Sequence, residues 1–293
     1  MKVSVYLPGV AAALLALVTP WLARRLSPST AVTALGASAA ATAAASTWSL
    51  VLLSAALLEH TPPVKERITT RTVPVLVSLL AIAALAVLVR RAARVVRVRT
   101  RTTAALHRVC ALCPDAGELA VTQDPAIYAF AVPGRPGRIL VSSGLLTSST
   151  PAERQVVLAH ERSHLRRGHH RLRAATDLAA AVNPLLTVTR DAVAYLVERA
   201  ADEDAATAVG SRAAAARALT DVVLRTRPDT GTQITLAFHR QAVLQRVHAL
   251  RQPPTRSLAT LAALCALGAL ATIAAAVDAT AALAKVAAAV TGL

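Results

Sequence analysis

Aromatic residues are scarce in this sequence. Tryptophan, tyrosine and phenylalanine make up only 2% of its 293 residues, whereas 55% of the residues are hydrophobic. A soluble protein of this length usually contains more aromatic side chains and fewer long apolar runs. The composition therefore argues against an ordinary soluble globular protein.

Cysteine is also rare, with three residues in the chain. Cys110 and Cys113 form one C-x-x-C motif, but the sequence has no second pair to complete a four-cysteine zinc site. Cys265 lies inside an apolar run. The cysteine content excludes a disulfide-rich secreted scaffold and fits a domain that faces the cytoplasm.

Acidic residues are half as numerous as basic ones, 16 against 32, which gives a formal net charge of +16. Such a charge is compatible with nucleic-acid binding, with anionic lipid headgroups, or with the positive-inside bias of a membrane protein. No nucleic-acid-binding motif accompanies the arginines. We therefore expect no direct nucleic-acid partner, and the apolar runs favour the lipid bilayer as the partner.

Four apolar runs are long enough to cross a bilayer, which takes roughly 20 residues. They are residues 3–23, 31–58, 73–89 and 257–277. The first run is longer than the roughly 7–15-residue core of a cleaved signal peptide, and a second run follows closely. We predict a mainly α membrane protein with three transmembrane helices in residues 1–89. A soluble α+β domain would occupy residues 90–256, and a fourth transmembrane helix with a short C-terminal tail would occupy residues 257–293.

The arginines predict the orientation of these spans. Arg24 and Arg25 follow the first run, a dense cluster follows the third, and Arg251 and Arg256 precede the fourth. If the spans alternate, all these arginines lie on one side, which should be cytoplasmic. Both termini and the loop from Glu59 to Thr72 then lie outside. That loop also carries basic residues, which weakens the bias. The cluster after the third run comprises Arg90, Arg91, Arg94, Arg97, Arg99 and Arg101.

The domain between the third and fourth runs begins with a helical linker. Residues 127–132 and 138–142 read as two short strands joined by the turn at 133–137. Either strand is a candidate exposed edge for a substrate peptide, although a sheet that merely supports a helix is an equal alternative. Further along, Asn183 and Pro184 break one helix and start another.

One helix in this domain carries an H-E-x-x-H motif. Thr150, Pro151 and Glu153 form a strong helix start. His160 and His164 follow four residues apart, so both imidazoles lie on one helix face and are able to bind one zinc ion. Glu161 points about a quarter turn away, towards a water molecule on the metal. The alternative is a pair of surface histidines on an arginine-rich helix.

A carboxylate further along the chain decides between these interpretations. Glu198 follows the break at Asn183 and is able to complete a site of two histidines and one carboxylate. Asp202, four residues later on the same face, is placed to hold the outer nitrogen of a ligating histidine. An ordinary solvated acidic face, including Glu203 and Asp204, is the alternative. Taken with the H-E-x-x-H motif, the pattern favours a zinc site.

The remaining histidines are weaker candidates. His169 and His170 follow Gly168, which should end the helix, so we expect them to leave the ligand face. His239 and His248 lie on a later predicted helix, where one of them is a candidate for stabilising the oxyanion. A half-exposed polar position is the more common role of such a residue.

Three segments together resemble the BlaR/MecR-type membrane zinc metallopeptidases, which are relatives of the HtpX and CAAX-prenyl-protease peptidases with a gluzincin-type site. The segments are "LAHERSHLRRGHH", "VERAADEDA" and "AFAVPGRPGRILVSSGLL". The resemblance implies Zn²⁺ bound by His160, His164 and Glu198, with Glu161 catalytic. It also implies a zincin-like endopeptidase domain in the cytoplasm. Its protein substrate would be a cytoplasmic regulator such as a winged-helix repressor.

Two other functions remain open from the sequence. An HtpX-like protease would degrade damaged membrane proteins, and a non-proteolytic regulator would use the same fold only to bind a partner. The antibiotic receptors of the resembled family carry an extracellular penicillin-binding domain after the last span. No S-x-x-K, S-D-N or K-T-G motif follows residue 277 here, so we expect no β-lactam sensing by this chain. The sequence does not indicate an oligomeric state.

Overall fold

The structure is a computed structural model that describes residues 5–57, 74–113, 117–225, 243–253 and 259–291. The predicted outer loop from Glu59 to Thr72 lies outside the described residues, as do His239 and Arg256. In chain order the described elements are α1 (Leu7–Arg25), α2 (Pro28–Ala55), α3 (Val75–Leu112), β1 (Leu119–Thr122), β2 (Ala129–Val132), β3 (Arg138–Ser142), α4 (Ser143–Ser148), α5 (Pro151–Arg166), α6 (His169–Val182), a 3-10 turn (Pro184–Leu186), α7 (Thr187–Ala208), α8 (Arg212–Arg225), α9 (residues 243–251) and α10 (Ala259–Thr291).

Four of these helices are long and apolar enough to cross a membrane. They are α1, α2, α3 and the segment Thr260–Ala281 of α10, and they correspond to the four predicted apolar runs. The third run and the helical linker after it form one continuous helix of 38 residues, because no proline or glycine interrupts Val75–Leu112. The mostly helical fold, with a further domain after the third apolar helix, agrees with the predicted architecture.

The helix that contains the fourth apolar run, α10, continues beyond residue 277 to Thr291. The added residues are mostly alanine, which has the highest helix propensity, and they contain no proline or glycine. The helix therefore has no local reason to end where the predicted span ends.

The sheet has three strands in the order β1-β3-β2, whereas the sequence predicted two. β1 pairs with β3 in parallel, with Leu119 opposite Ile139, and β2 pairs with β3 in antiparallel orientation, with Ala131 opposite Ile139. β3 is therefore central, which rules out residues 139–141 as the exposed edge and leaves β2, the other candidate. Within the described residues, β2 is the free edge beside the H-E-x-x-H helix.

The start of α5 is the predicted capping box. The Thr150 hydroxyl accepts from the Glu153 N–H, and the Glu153 carboxylate accepts from the Thr150 N–H at 2.7 Å. α5 packs against the sheet and against α7 and α8. The break at Asn183 is also present, since α6 ends at Val182 and α7 folds back beside it. This reversal brings residues of α7 to the histidines of α5.

Candidate active site

His160 and His164 meet Glu198 between α5 and α7. The Nε2 atoms of the two histidines lie 3.0 Å apart. Glu198 Oε2 lies 3.5 Å from His160 Nε2 and 3.9 Å from His164 Nε2. The three residues form a group whose ligand atoms all lie within 4.8 Å of one another, and it is the one such group in the part of the chain that the structure describes.

This arrangement fits a tetrahedral metal ion. Zinc bonds of about 2.0–2.1 Å to nitrogen and oxygen place neighbouring ligand atoms roughly 3.4 Å apart in a tetrahedron. The observed separations of 3.0 to 3.9 Å bracket that value. Two imidazoles and one carboxylate form a donor set typical of catalytic zinc, with a fourth position left for water or substrate.

The Asp202 carboxylate contacts the outer nitrogen of His160. Its Oδ1 lies 3.0 Å from His160 Nδ1, so His160 Nδ1–H is placed to donate and leave Nε2 free for a metal ion. Asp202 is 5% exposed and accepts two hydrogen bonds from Arg246, at 2.7 and 2.6 Å. Sequence reasoning missed Arg246, which lies 44 residues beyond Asp202 on α9.

His169 contacts the second histidine of the site. Its Nδ1 lies 3.1 Å from His164 Nδ1, and its side chain is almost fully buried. The prediction that Gly168 ends the helix is confirmed by its left-handed backbone, with φ of 62°. The prediction that His169 therefore leaves the ligand face is wrong, because this turn starts α6 back across His164.

The protonation of the histidine pair is strongly asymmetric in the absence of a cation. Burial alone would lower the pKa of His160, but hydrogen bonds with Asp202 and Glu198 outweigh burial and raise the pKa to about 9. Burial and the charge on His160 lower the pKa of His164 to about 3. Burial opposes the charged form of Glu198, yet His160 and Arg246 lower its pKa below the ordinary value. A metal ion that binds His160 would have to displace a proton from this side chain.

Glu161 is anchored to the edge of the sheet. Its Oε2 accepts a hydrogen bond from the Ala131 N–H at 2.8 Å. Burial raises the pKa of this carboxyl from its ordinary value of 4.5 to about 7, although the charge on His160 and the Ala131 hydrogen bond oppose the shift. A carboxylate with a pKa near neutrality is well matched to accept a proton and return it.

A cleft of about 820 Å³ surrounds these residues. Its lining includes Arg99, Thr102 and Leu106 from the C-terminal half of α3, and Val157 and Leu219 from α5 and α8. His160, Glu161, His164 and Glu198 also line it. The cleft is large enough to admit an extended peptide segment.

Asp204 ties the two ligand-bearing helices together. It accepts hydrogen bonds from Ser163 at 2.6 Å, from Arg166 at 2.8 Å and from Arg167 at 2.6 and 2.7 Å, all of them on or just after α5. Its pKa is lowered because these hydrogen bonds outweigh burial. Asp204 is therefore part of the framework of the site and not of an ordinary solvated face.

Within the described residues, the other candidate side chains do not contact the proposed metal ligands. His248 is exposed on α9 and does not line the cleft. His170 lines the cleft, and its backbone carbonyl accepts a hydrogen bond from Arg99. Cys110 and Cys113 are free thiols at the end of α3.

Comparison with known proteins identifies the family of this fold and site. The family model of peptidase family M48 matches residues 91–254, which is more than half of the chain and includes every residue of the candidate site. Neither a curated protein nor a solved structure matches significantly. Peptidases of this family depend on a metal ion. The chain therefore belongs to peptidase family M48, the members of which are metallopeptidases.

Proposed function

We propose that this protein is an integral membrane zinc endopeptidase. The observation that carries the proposal is the convergence of His160, His164 and Glu198 on one point, with the carboxylate of Glu161 buried beside them. Zn²⁺ is the proposed ion, since two histidines and one carboxylate suit its tetrahedral coordination. The four apolar helices support a location in a membrane.

The residues of the chain divide the chemistry between them. His160, His164 and Glu198 would hold the zinc ion, and Asp202 would fix the tautomer of His160. A zinc ion held there would polarise the scissile carbonyl and lower the pKa of water. Glu161 accepts the proton of the attacking water and passes it to the leaving amine, which a carboxyl with a pKa near 7 does readily. The peptide bond then breaks to give a carboxylate and an amine.

The free edge of β2 offers a place for the substrate backbone. The Ala131 N–H points away from β3, because its acceptor is Glu161. Alternate residues of a strand direct their backbone groups to the same side, so Ala129 presents its N–H and C=O at this edge. An extended peptide that pairs with Ala129 would lie across the cleft beside Glu161.

The finer classification is also a proposal. The "LAHERSHLRRGHH" segment and the spans around the domain support a BlaR/MecR-type or HtpX-like peptidase, with a cytoplasmic regulator or a damaged membrane protein as substrate. All four residues that hydrolysis requires are present and close together, which argues against a non-proteolytic regulator. The arginine cluster that follows the apolar part of α3 supports a cytoplasmic location of the cleft. A reporter fused after Arg101 would test that side directly.

Glu161→Gln tests the mechanism. The substitution keeps the size of the side chain and removes the base, so we expect cleavage to fall at least about a hundredfold. Because Glu161 is not a proposed ligand, about one zinc ion per chain should remain bound. Glu198→Gln, His160→Ala and His164→Ala should instead lose stoichiometric zinc. Zinc is measured on protein purified in detergent, and cleavage is measured with peptides from a digested proteome by mass spectrometry.

Glu118→Gln is the matched control. Glu118 forms an exposed ion pair with Arg162 of α5, so its loss should change neither zinc content nor rate. Cleavage by Glu161→Gln at the wild-type rate would refute the mechanism. Full zinc occupancy in both histidine variants would refute the metal site.

A further inference from the structure

The α6–α7 hairpin contains an uncharged segment that the four apolar helices do not account for. We call residues Leu178–Thr189 the hairpin tip. It contains no charged residue, and Asp177 and Arg190 bound it on either side. The tip comprises the end of α6, the 3-10 turn and the start of α7. It belongs to the peptidase domain by sequence, yet its composition is that of the spans.

The hairpin tip packs against the first two apolar helices. Leu186, at 0% exposure, forms one buried cluster with Ala12 of α1 and with Ala39 and Ala43 of α2. Ala179 of the tip belongs to the same cluster. Small side chains on α1 and α2 allow this close approach, as is common between helices in membranes.

The polar groups of the tip are satisfied inside the protein. Asn183 donates to Ser46 of α2 at 3.1 Å, and its side-chain oxygen accepts from the Leu185 N–H. The hydroxyls of Thr189 and Thr19 share a hydrogen bond of 3.0 Å, and both residues are fully buried. Such internal pairing is what a segment needs where no water is available.

The contacts also give the depth of the tip. Ala12 precedes Arg24 by 12 residues of α1, which is about 18 Å at 1.5 Å per residue. On the other side, Arg91 of α3, just beyond the last apolar residue of that span, donates to the Ala180 carbonyl. The turn at Asn183–Leu186 therefore lies on the apolar side of the arginines that mark the ends of α1 and of the apolar part of α3.

One face of the tip remains uncovered by the described part of the chain. Leu178, Leu185 and Val188 are 39%, 49% and 45% exposed. The tip packs against α1, on which Leu14 and Leu17 are also exposed. An exposed apolar face beside exposed apolar spans fits one occupant, the acyl chains of lipids.

We propose that the hairpin tip is embedded in the bilayer beside α1 and α2, with Leu178, Leu185 and Val188 against lipid acyl chains. The metal site then lies at the membrane surface, because Leu22 and Leu26 at the inner end of α1 pack on the residues just before Glu198. The residues of α7 in that cluster are Val193, Leu196 and Val197. The peptidase domain is thus partly inserted in the membrane and does not stand clear of it.

Spin labels test this placement without any use of the catalytic activity. Single cysteines at Leu185 and Val188 are labelled in protein that lacks the native cysteines and is reconstituted in liposomes. Collision rates with oxygen, which concentrates in lipid, are compared with those of a water-soluble nickel chelate. We expect both positions to favour oxygen severalfold, like a label at Leu17 of α1. Labels at Leu224 and Leu244, which are 78% and 68% exposed outside the span bundle, are the matched controls and should favour nickel.

Labels at Leu185 and Val188 that behave like the Leu224 control would overturn the proposal, whether or not Leu17 favours oxygen. A second measurement covers the case in which the labelled proteins do not fold. Unmodified protein is reconstituted with lipids that carry a photoreactive group on the acyl chain, and the cross-linked peptides are identified by mass spectrometry. Cross-links within residues 178–189 support the proposal. Their absence, when α1 and α3 are cross-linked, contradicts it.

Discussion

Asp202→Asn should weaken zinc binding although Asp202 is not a ligand. The asparagine oxygen is still able to accept from His160 Nδ1–H. In the wild-type protein the guanidinium of Arg246 donates to both Asp202 carboxylate oxygens, at 2.6 and 2.7 Å. In the variant, the amino group of the asparagine would face this guanidinium. The substitution therefore removes the charge that makes His160 a stronger ligand and sets donor against donor in a buried site.

The size of the effect follows from the position of this contact. Loss of a carboxylate that holds a ligating histidine typically costs 10- to 100-fold in metal affinity, which corresponds to about 1.4–2.8 kcal/mol. The Asp202 side chain is only 6% exposed, so solvent screens little of this cost. We expect the upper half of the range.

The assay is competition for zinc against a chromophoric chelator, with circular dichroism to confirm that each variant is folded. Asp177→Asn is the control, because Asp177 also lines the cleft and pairs with Arg99 but does not contact a ligand. Its zinc affinity should stay within about threefold of wild type, since second-sphere losses of tenfold or more require contact with a ligand. Wild-type affinity in folded Asp202→Asn would refute the assigned role of Asp202.

Two further results are expected. Asp204→Asn should destabilise the protein by about 1–2 kcal/mol, because it weakens four hydrogen bonds that the charged Asp204 carboxylate accepts, and the two arginine donors are partly solvated. A thermal midpoint that falls by less than about 1 °C would contradict this expectation. Asp221→Asn is the control, because Asp221 has an exposed carboxylate without a partner in the described residues. The kcat/KM should fall as the pH is lowered, since Glu161 must be ionised to act as a base. The Glu161 pKa of about 7 refers to the site without a cation, and bound zinc favours the carboxylate, so the midpoint of the fall in kcat/KM should lie between pH 4.5 and 7. A midpoint above pH 7, or the same fall at low pH in Glu161→Gln, would count against Glu161 as the base.

The sequence located the site where the pattern is local. The four-residue spacing on α5 brings His160 and His164 together in any helix, and the break at Asn183 predicts that a second helix returns. The same spacing pairs Glu198 with Asp202 on one face of α7, as observed. Such features depend only on helical geometry and on a proline, so they can be predicted without knowledge of the tertiary fold.

The features that the sequence missed are all tertiary. Arg246 is one arginine among many, and only its packing against Asp202 distinguishes it. His169 returns to the site because of the direction in which the turn at Gly168 starts α6, which spacing does not specify. β1 has four residues and pairs in parallel with a strand that is not its neighbour in the chain, so no hairpin pattern in the sequence predicts it.

The position of Glu198 shows why the ligand set itself depends on tertiary contacts. α7 is held at its start by Thr189, which bonds to Thr19 of α1, and six residues beyond Glu198 by Asp204, which bonds to α5. Glu198 lies between these two attachments, and its Oε2 atom must stay within a few ångströms of both histidines to share a metal ion. Because one rigid helix joins both attachments, the packing of α7 against the apolar helices and the geometry of the metal ligands are determined together.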